Sequence, residues 1–258
     1  MTPFAVFIAS IAGIGAGVGT GLAGLSAAAV ISPMLITFLH IPAYEAVGIA
    51  LASDVLASAA SAVTYGRNRH LDIRNGLVML ASVLLFTLIG SLIASFLPNA
   101  TMGGFSVLMT LVLGIRFLVR PVMNTQNLLL GKTRKARIIQ SLICGSVIGF
   151  ICGFMGAGGG MMMLLLLTSV LGYELKTAVG TSVFIMTFTA FTGAASHFAI
   201  GGAPPIPLLA VCVLVTLIAA QISAKFANKA HPKVLNQVTG GVLTVLGIVM
   251  ILVHFWGG

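Results

Sequence analysis

Long apolar stretches separated by short polar or glycine-rich joints fill nearly the whole chain, and they fall into two sets of five. The first set runs near 3–20, 24–39, 43–65, 75–97 and 101–120, the second near 138–155, 159–171, 174–199, 206–224 and 234–255. A helix crossing the hydrocarbon core of a bilayer needs roughly 20 residues. The third, fourth and fifth stretches of each set are long enough. The first two of each set are shorter and meet at glycine, so two steep crossings or one re-entrant hairpin fit them equally. Pro121 to Ala136 is the one sizeable polar interruption, with Asn124, Thr125, Gln126 and Asn127 ahead of a basic cluster. The pattern predicts an all-α polytopic membrane protein. Its parts are an N-terminal membrane repeat over 1–120, a cytoplasmic linker over 121–136 and a C-terminal membrane repeat over 137–258.

The two sets are copies. Gly13, Gly17, Gly21 and Gly24 recur 132 positions later as Gly145, Gly149, Gly153 and Gly156, and the same shift lays Ala46-Val47-Gly48 over Ala178-Val179-Gly180. Paired hydrophobic halves mark many secondary transporters, and glycine-interrupted segments at matching places in both halves point to the substrate site. An odd number of crossings per unit, five or three, turns the second copy upside down. The expected architecture is therefore two inverted-topology repeats that include short or glycine-broken helices.

Composition supports the lipid setting and charge supports the direction. Apolar residues make up 59% of the 258 and charged residues 7%, where soluble domains carry about 25% charged residues; the mean hydropathy is +1.15. The net charge of +9 would suggest nucleic acid on a soluble fold, but here the basic residues sit in short joints, so no nucleic-acid partner is expected. Arg67, Arg69 and Arg74 lie between the third and fourth stretches. Arg116, Arg120, Lys132, Arg134, Lys135 and Arg137 lie at the junction, Lys176 follows the second short pair, and Lys225, Lys229 and Lys233 precede the last stretch. Lysine and arginine favour the cytoplasmic side, so these joints are placed inside and both termini outside. The joints His40–Glu45, Pro98–Thr101 and Gly201–Pro205 hold no lysine or arginine. Met1-Thr2-Pro3 lacks the basic start of a cleavable signal, so the first stretch is expected to remain.

Candidate chemistry is sparse and therefore readable. The glycine frames place a groove along one helix face for close helix packing, a surface that would equally permit a homodimer. The run Gly156-Ala157-Gly158-Gly159-Gly160 suits a helix break, since each glycine costs about 1 kcal/mol relative to alanine in a helix. Free amides at the start of the following helix would make an anion site. Asp54, midway along the third stretch, is the sharpest single residue. A charge at a helix centre costs roughly 2.5–3.5 kcal/mol to insert, so such residues face the interior and carry a task; proton coupling is the task assigned to Asp54. His197 and Tyr65 occupy equivalent ends of the third stretches, as interfacial rings or, for His197, as an anion-attracting group at the outer mouth. Cys144, Cys152 and Cys212 lie in apolar runs without C-x-x-C spacing, so neither a metal site nor a disulfide is indicated.

Taken in order, Gly156-Ala-Gly-Gly-Gly160, Ala178-Val-Gly-Thr-Ser182, His197 and Gly201-Gly202 resemble the sulfite exporter TauE/SafE family of 4-toluene sulfonate uptake permeases. The first half resembles the companion repeat through Gly24, Pro33, Ala46-Val-Gly48 and the His70-Leu-Asp-Ile-Arg74 ending. The resemblance covers nearly the whole chain apart from the linker. It implies a bacterial plasma-membrane carrier of small anions, sulfur oxyanions or organosulfonates, with no cofactor. The substrate-binding residues expected are Gly24, Ser26, Gly156, Gly158, Gly159, Gly160, Thr181 and Ser182, the two hydroxyls serving as donors to sulfonate oxygens, which only accept. The copies differ at this site: Ser26-Ala27-Ala28 stands opposite Gly158-Gly159-Gly160, and Ile49-Ala50 opposite Thr181-Ser182, so the second half is expected to supply more of the anion contacts. No Gly-x-x-x-x-Gly-Lys-Ser/Thr phosphate loop occurs, and neither H-E-x-x-H nor a mid-depth histidine accompanies Gly24-Leu25-Ser26, which excludes the obvious enzyme classes. A passive channel for small anions is the competing class.

Overall fold

The computed structural model describes residues 2–97, 134–155 and 159–256, with a few positions between 108 and 119. All regular structure among them is helical: α1 (Pro3–Ala23), α2 (Ala28–Leu39), α3 (Ala43–Arg67), α4 (Ile73–Ala94), α5 (Arg134–Met155), α6 (Gly159–Ser169), α7 (Leu175–Gly201), α8 (Ile206–Lys229) and α9 (Pro232–Trp256). Of these, α1, α3, α4, α7 and α8 are each long and apolar enough to cross a membrane. The linker, the Pro98–Thr101 joint and Gly156 and Gly158 lie outside the described residues, and α5 begins at Arg134, inside the tail of the stretch read as linker.

Small residues decide which helices touch. Gly13, Gly17 and Gly21 of α1 pack in turn against Val215, Ala219 and Ser223 of α8, so the two helices run parallel. Their copies repeat the arrangement: Gly145, Gly149 and Gly153 of α5 pack against Ser82, Val83 and Thr87 of α4. The long helices α3 and α7 cross the opposite way. Gly48 meets His197 and Phe198, Leu51 meets Gly193, and Tyr65 meets Gly180, so these equivalent helices are antiparallel. Exchanging the halves maps this pairing onto itself.

The short helices are hairpin arms. Leu25, Ser26 and Ala27, which join α1 to α2, are 2%, 2% and 0% exposed, so the chain turns inside the protein without emerging. For the first pair this decides between the two readings in favour of a re-entrant hairpin. Gly24 permits the turn with φ +62°, a left-handed conformation in which its N–H reaches the Gly19 and Thr20 carbonyls; a glycine adopts it without steric cost. The second arm α6 starts where Gly160 abuts Gly24 and Ser26 and leads to Tyr173, whose hydroxyl reaches Asp72 beside the start of α4. The tip of the first hairpin and the start of α6 therefore meet inside the protein.

Charge follows the same geometry. His70 Nδ1 lies 3.0 Å from Asn228 Oδ1, and Lys176 donates to the Asn228 carbonyl at 2.7 Å. These bonds bring together the end of α3, the start of α7 and the end of α8, with the starts of α4, α5 and α9 beside them. Arg67, Arg69, Arg74, Lys135, Lys176, Lys225, Lys229 and Lys233 consequently share one end of the bundle. The opposite end is built from Tyr44, Ser91 and Ser196, without a lysine or arginine among the described residues. Between the ends, Leu77, Leu85, Leu88 and Leu92 of α4 and Leu214, Ile218, Ile222 and Phe226 of α8 stand exposed. Apolar faces this extensive are solvated by lipid.

Candidate functional site

The tip of the first hairpin meets the start of α6 beside the middle of α3, and Asp54 points there. Asp54 is 0% exposed. Its Oδ1 accepts from the Ser58 hydroxyl at 2.7 Å, whereas Oδ2 lacks a complete hydrogen bond. Ser26 and the Ala27 amide, at the N-terminus of α2, lie against the carboxyl group, and no lysine, arginine or histidine among the described residues offsets it. The positive end of a short helix is thus turned toward the one acidic group at mid-depth. Asp54, Ser58, Ser61 and Tyr65 follow helical spacing on α3 and form a polar line from mid-depth toward the basic end.

The amide end of α2 is largely occupied by the protein itself. Ser26 Oγ accepts from Ala28 N at 3.3 Å, and the Ser26 and Ala27 carbonyls take the Ala29, Val30 and Ile31 amides. The equivalent of Asp54 in the second half is Met186, also fully buried. No carboxylate of the second repeat therefore stands where Asp54 stands in the first. This asymmetry agrees with the substitution of Ser26-Ala27-Ala28 by Gly158-Gly159-Gly160.

The remaining expected site residues divide. Ser182 is buried at the tips, its hydroxyl 3.2 Å from the Gly24 carbonyl and 3.0 Å from that of Val179. Gly160 is there too, and a Cβ on it would lie 2.5 Å from Ser26 N. Gly159 opens α6. Thr181 faces elsewhere: its Oγ1 accepts from the Asp72 backbone N–H at 3.1 Å, which ties α7 to the joint before α4. Gly24, Ser26, Gly160, Ser182 and Asp54 are therefore neighbours, while Thr181 sits toward the basic end.

Two features differ from the sequence reading or escape it. Tyr65 and His197 are each 1% exposed, so neither is an interfacial ring and His197 does not line an outer mouth. Tyr65 donates to the Gly21 carbonyl at 3.0 Å. His197 has Nε2 3.2 Å from the Gly153 carbonyl and Nδ1 3.1 Å from that of Tyr44. The repeat shift relates both rings and both glycines, and that register is the signal that could have found the pair. The other is the Asp72 lock: its carboxylate accepts from Asn75 N (3.1 Å), Asn75 Nδ2 (2.6 Å) and the Tyr173 hydroxyl (2.8 Å). Asp three positions ahead of Asn at a helix start is a capping signal.

Known proteins match this chain along its length. It is 22% identical over 235 residues to the probable membrane transporter protein YdhB of Bacillus subtilis, covering 91% of this chain and 96% of that one. It is 23% identical over 259 residues to the probable membrane transporter protein YunE of the same organism, covering 93% and 94%. The probable membrane transporter protein MJ0441 of Methanocaldococcus jannaschii is 26% identical over 127 residues, 46% of this chain and 47% of that one. No solved structure matches. The sulfite exporter TauE/SafE family matches residues 9–250, through both glycine-framed halves and both hairpin tips, and the chain belongs to that family of multi-pass membrane transporters.

Proposed function

We propose that this chain is a secondary carrier of small anions, sulfur oxyanions such as sulfite and thiosulfate or organosulfonates such as sulfoacetate, in the bacterial plasma membrane. The observation that carries the proposal is the meeting of the first hairpin tip with the start of α6 at mid-depth beside a buried carboxyl group. Irregular backbone persists at that depth only against protein or a watery cavity. In this reading the main-chain amides at the start of α6, from Gly159 and Gly160, and the Ser182 hydroxyl, once turned from the Gly24 and Val179 carbonyls, are the donors to the oxyanion. The antiparallel crossing of α3 and α7 and the approach of the hairpins from opposite ends support two inverted repeats, whose rocking would open the tips alternately to each side.

Asp54 is assigned the coupling role. An ionised carboxylate and a substrate anion would repel each other at the tips, so a proton on Asp54 lets the anion bind. Release of both on the far side completes a cotransport step. Uptake and efflux of radiolabelled sulfite, thiosulfate, sulfoacetate and taurine in proteoliposomes, with and without a pH gradient, tests the reading. Asp54→Asn keeps an acceptor for Ser58 and should remove the dependence on the gradient. A gradient-dependent flux that survives in D54N would refute the coupling role. Saturation with counterflow is expected, whereas channel-like currents would sink the carrier.

A further inference from the structure

The shift that relates the repeats also relates two buried latches. Each joins the long helix of its repeat to a carbonyl three residues ahead of a hairpin tip: Tyr65 to Gly21, ahead of Gly24, and His197 to Gly153, ahead of Gly156. The two rings differ in what they can do with a proton. A phenol donates one hydrogen bond and is complete. The imidazole has a second nitrogen, and here both nitrogens face backbone carbonyl oxygens, at 3.2 Å (Gly153) and 3.1 Å (Tyr44). A carbonyl only accepts, and a neutral imidazole carries a single N–H. Both bonds can exist together only in the imidazolium.

One neighbour suits that cation. The ring stacks on Tyr44 with centroids 4.1 Å apart and planes 29° apart, and an aromatic face attracts positive charge. The titratable groups on the elements around it are neutral or acidic near its depth. α3 brings Tyr44, Glu45 and, further along, Asp54; α5 brings Cys152, next to Gly153. α4 presents Ser91, bonded to Ser196, and its one charged residue, Arg74, is at the opposite end. The basic residues at the start of α5 lie at that far end as well, and α1 and α6 contain no charged or titratable side chain.

We propose that His197 is a second proton site, a latch that holds the neck of the second hairpin to the start of α3 when both ring nitrogens are protonated and lets go when one proton leaves. Tyr65 is its permanent counterpart in the first repeat. Deprotonation turns one N–H···O bond into a contact between a lone pair and a carbonyl oxygen, so lower pH closes the latch and higher pH opens it. The purpose of the opening rests on the carrier reading; the latch itself is a property of the fold.

Two measurements on the full-length protein in lipid nanodiscs test it without any transported substrate. In protein carrying 15N-labelled histidine, with the His197 signal identified by its loss in H197Q, NMR should show two protonated ring nitrogens at about pH 5.5 and one at about pH 8. A single neutral tautomer across that range would overturn the proposal. The second measurement uses Cys152 as the sole thiol, with Cys144 and Cys212 replaced by alanine. Its rate of reaction with N-ethylmaleimide is compared with the same protein bearing H197Q, a neutral donor that does not titrate, or H197Y if H197Q fails to fold. Taking the ratio at each pH cancels the ionisation of the thiol itself. The ratio should rise about tenfold from about pH 5.5 to about pH 8, the effect of losing one charge-assisted hydrogen bond. A flat ratio would overturn the latch, while the carrier reading would stand or fall separately on anion flux and D54N.

Discussion

Asp54 and Asp72 both lie near a helix N-terminus, and their partners hold them differently. Asp54 takes a full bond from Ser58, with Ser26 and the Ala27 amide against its carboxyl group and an Oδ2 without a complete bond; a group held without a charged partner can change its charge. Asp72 is held by three donor bonds. Partial burial pushes its carboxyl up, but the Asn75 side chain and amide, the Tyr173 hydroxyl and the Arg74 amide outweigh that and hold it below the ordinary 3.8. A carboxyl lowered on folding stabilises the native state above its unfolded value, and that contribution drains away as pH falls through the lowered folded value. Asp72→Asn should therefore lower the melting temperature at neutral pH, and the gap to wild type should close only below about pH 3.8. Tyr173→Phe, which removes one donor, should cost about 1 kcal/mol. Thermal unfolding in detergent across pH measures both, and an equal D72N deficit at neutral and strongly acid pH would contradict the assignment.

At the level of elements, close packing through glycine sets what can be altered. A Cβ on Gly17 would lie 2.6 Å from Ala219 Cβ and 2.6 Å from the Thr216 carbonyl oxygen, and one on Gly149 would strike the Val83 backbone. Backbone cannot move aside as a side-chain tip can, so Gly17→Ala and Gly149→Ala should each destabilise by about 1–3 kcal/mol. Gly241 has open space around it, and Gly241→Ala should be neutral or stabilising by up to about 1 kcal/mol from helix propensity. Unfolding midpoints of the three variants would show the contrast, and an unperturbed G17A would refute the α1–α8 contact. The same elements show what the sequence makes legible. Apolar length recovers the long helices closely: 43–65 and 174–199 become Ala43–Arg67 and Leu175–Gly201, because spanning helices end where polar residues begin. Length is silent on the hairpins, since a dozen apolar residues suit a short crossing or a buried arm alike; the burial of Leu25-Ser26-Ala27 decides. Thr181 illustrates a further limit. A hydroxyl inside a glycine-flanked motif reads as a ligand-binding group, yet the partner that engages it, the Asp72 amide, is 109 positions away, a pairing that no local pattern encodes.

For the whole molecule, the antiparallel crossing of α3 and α7 means that one choice of orientation fixes both repeats at once. The ends of the bundle differ sharply: basic residues from six helix termini gather at one, and the His40–Pro42 and Gly202–Pro205 joints at the other carry none. Cytoplasmic retention of lysine and arginine then predicts the Asn68 turn inside and the Ala203 joint outside, with Thr2 and the end of α9 outside as well. In a chain whose native cysteines are replaced by alanine, Ala203→Cys should react with a membrane-impermeant maleimide on intact cells. Asn68→Cys should react only after permeabilisation, both positions being exposed in the fold. Reversal of the two would turn the protein over in the membrane. Labelling of both from outside would break the link between the helix directions and a single orientation. Arg67, Arg69 and Arg74 can be changed together to glutamine as a control. Lys135, Lys176, Lys225, Lys229 and Lys233 still hold the same end, so the labelling pattern should persist if the second repeat also carries the orientation signal.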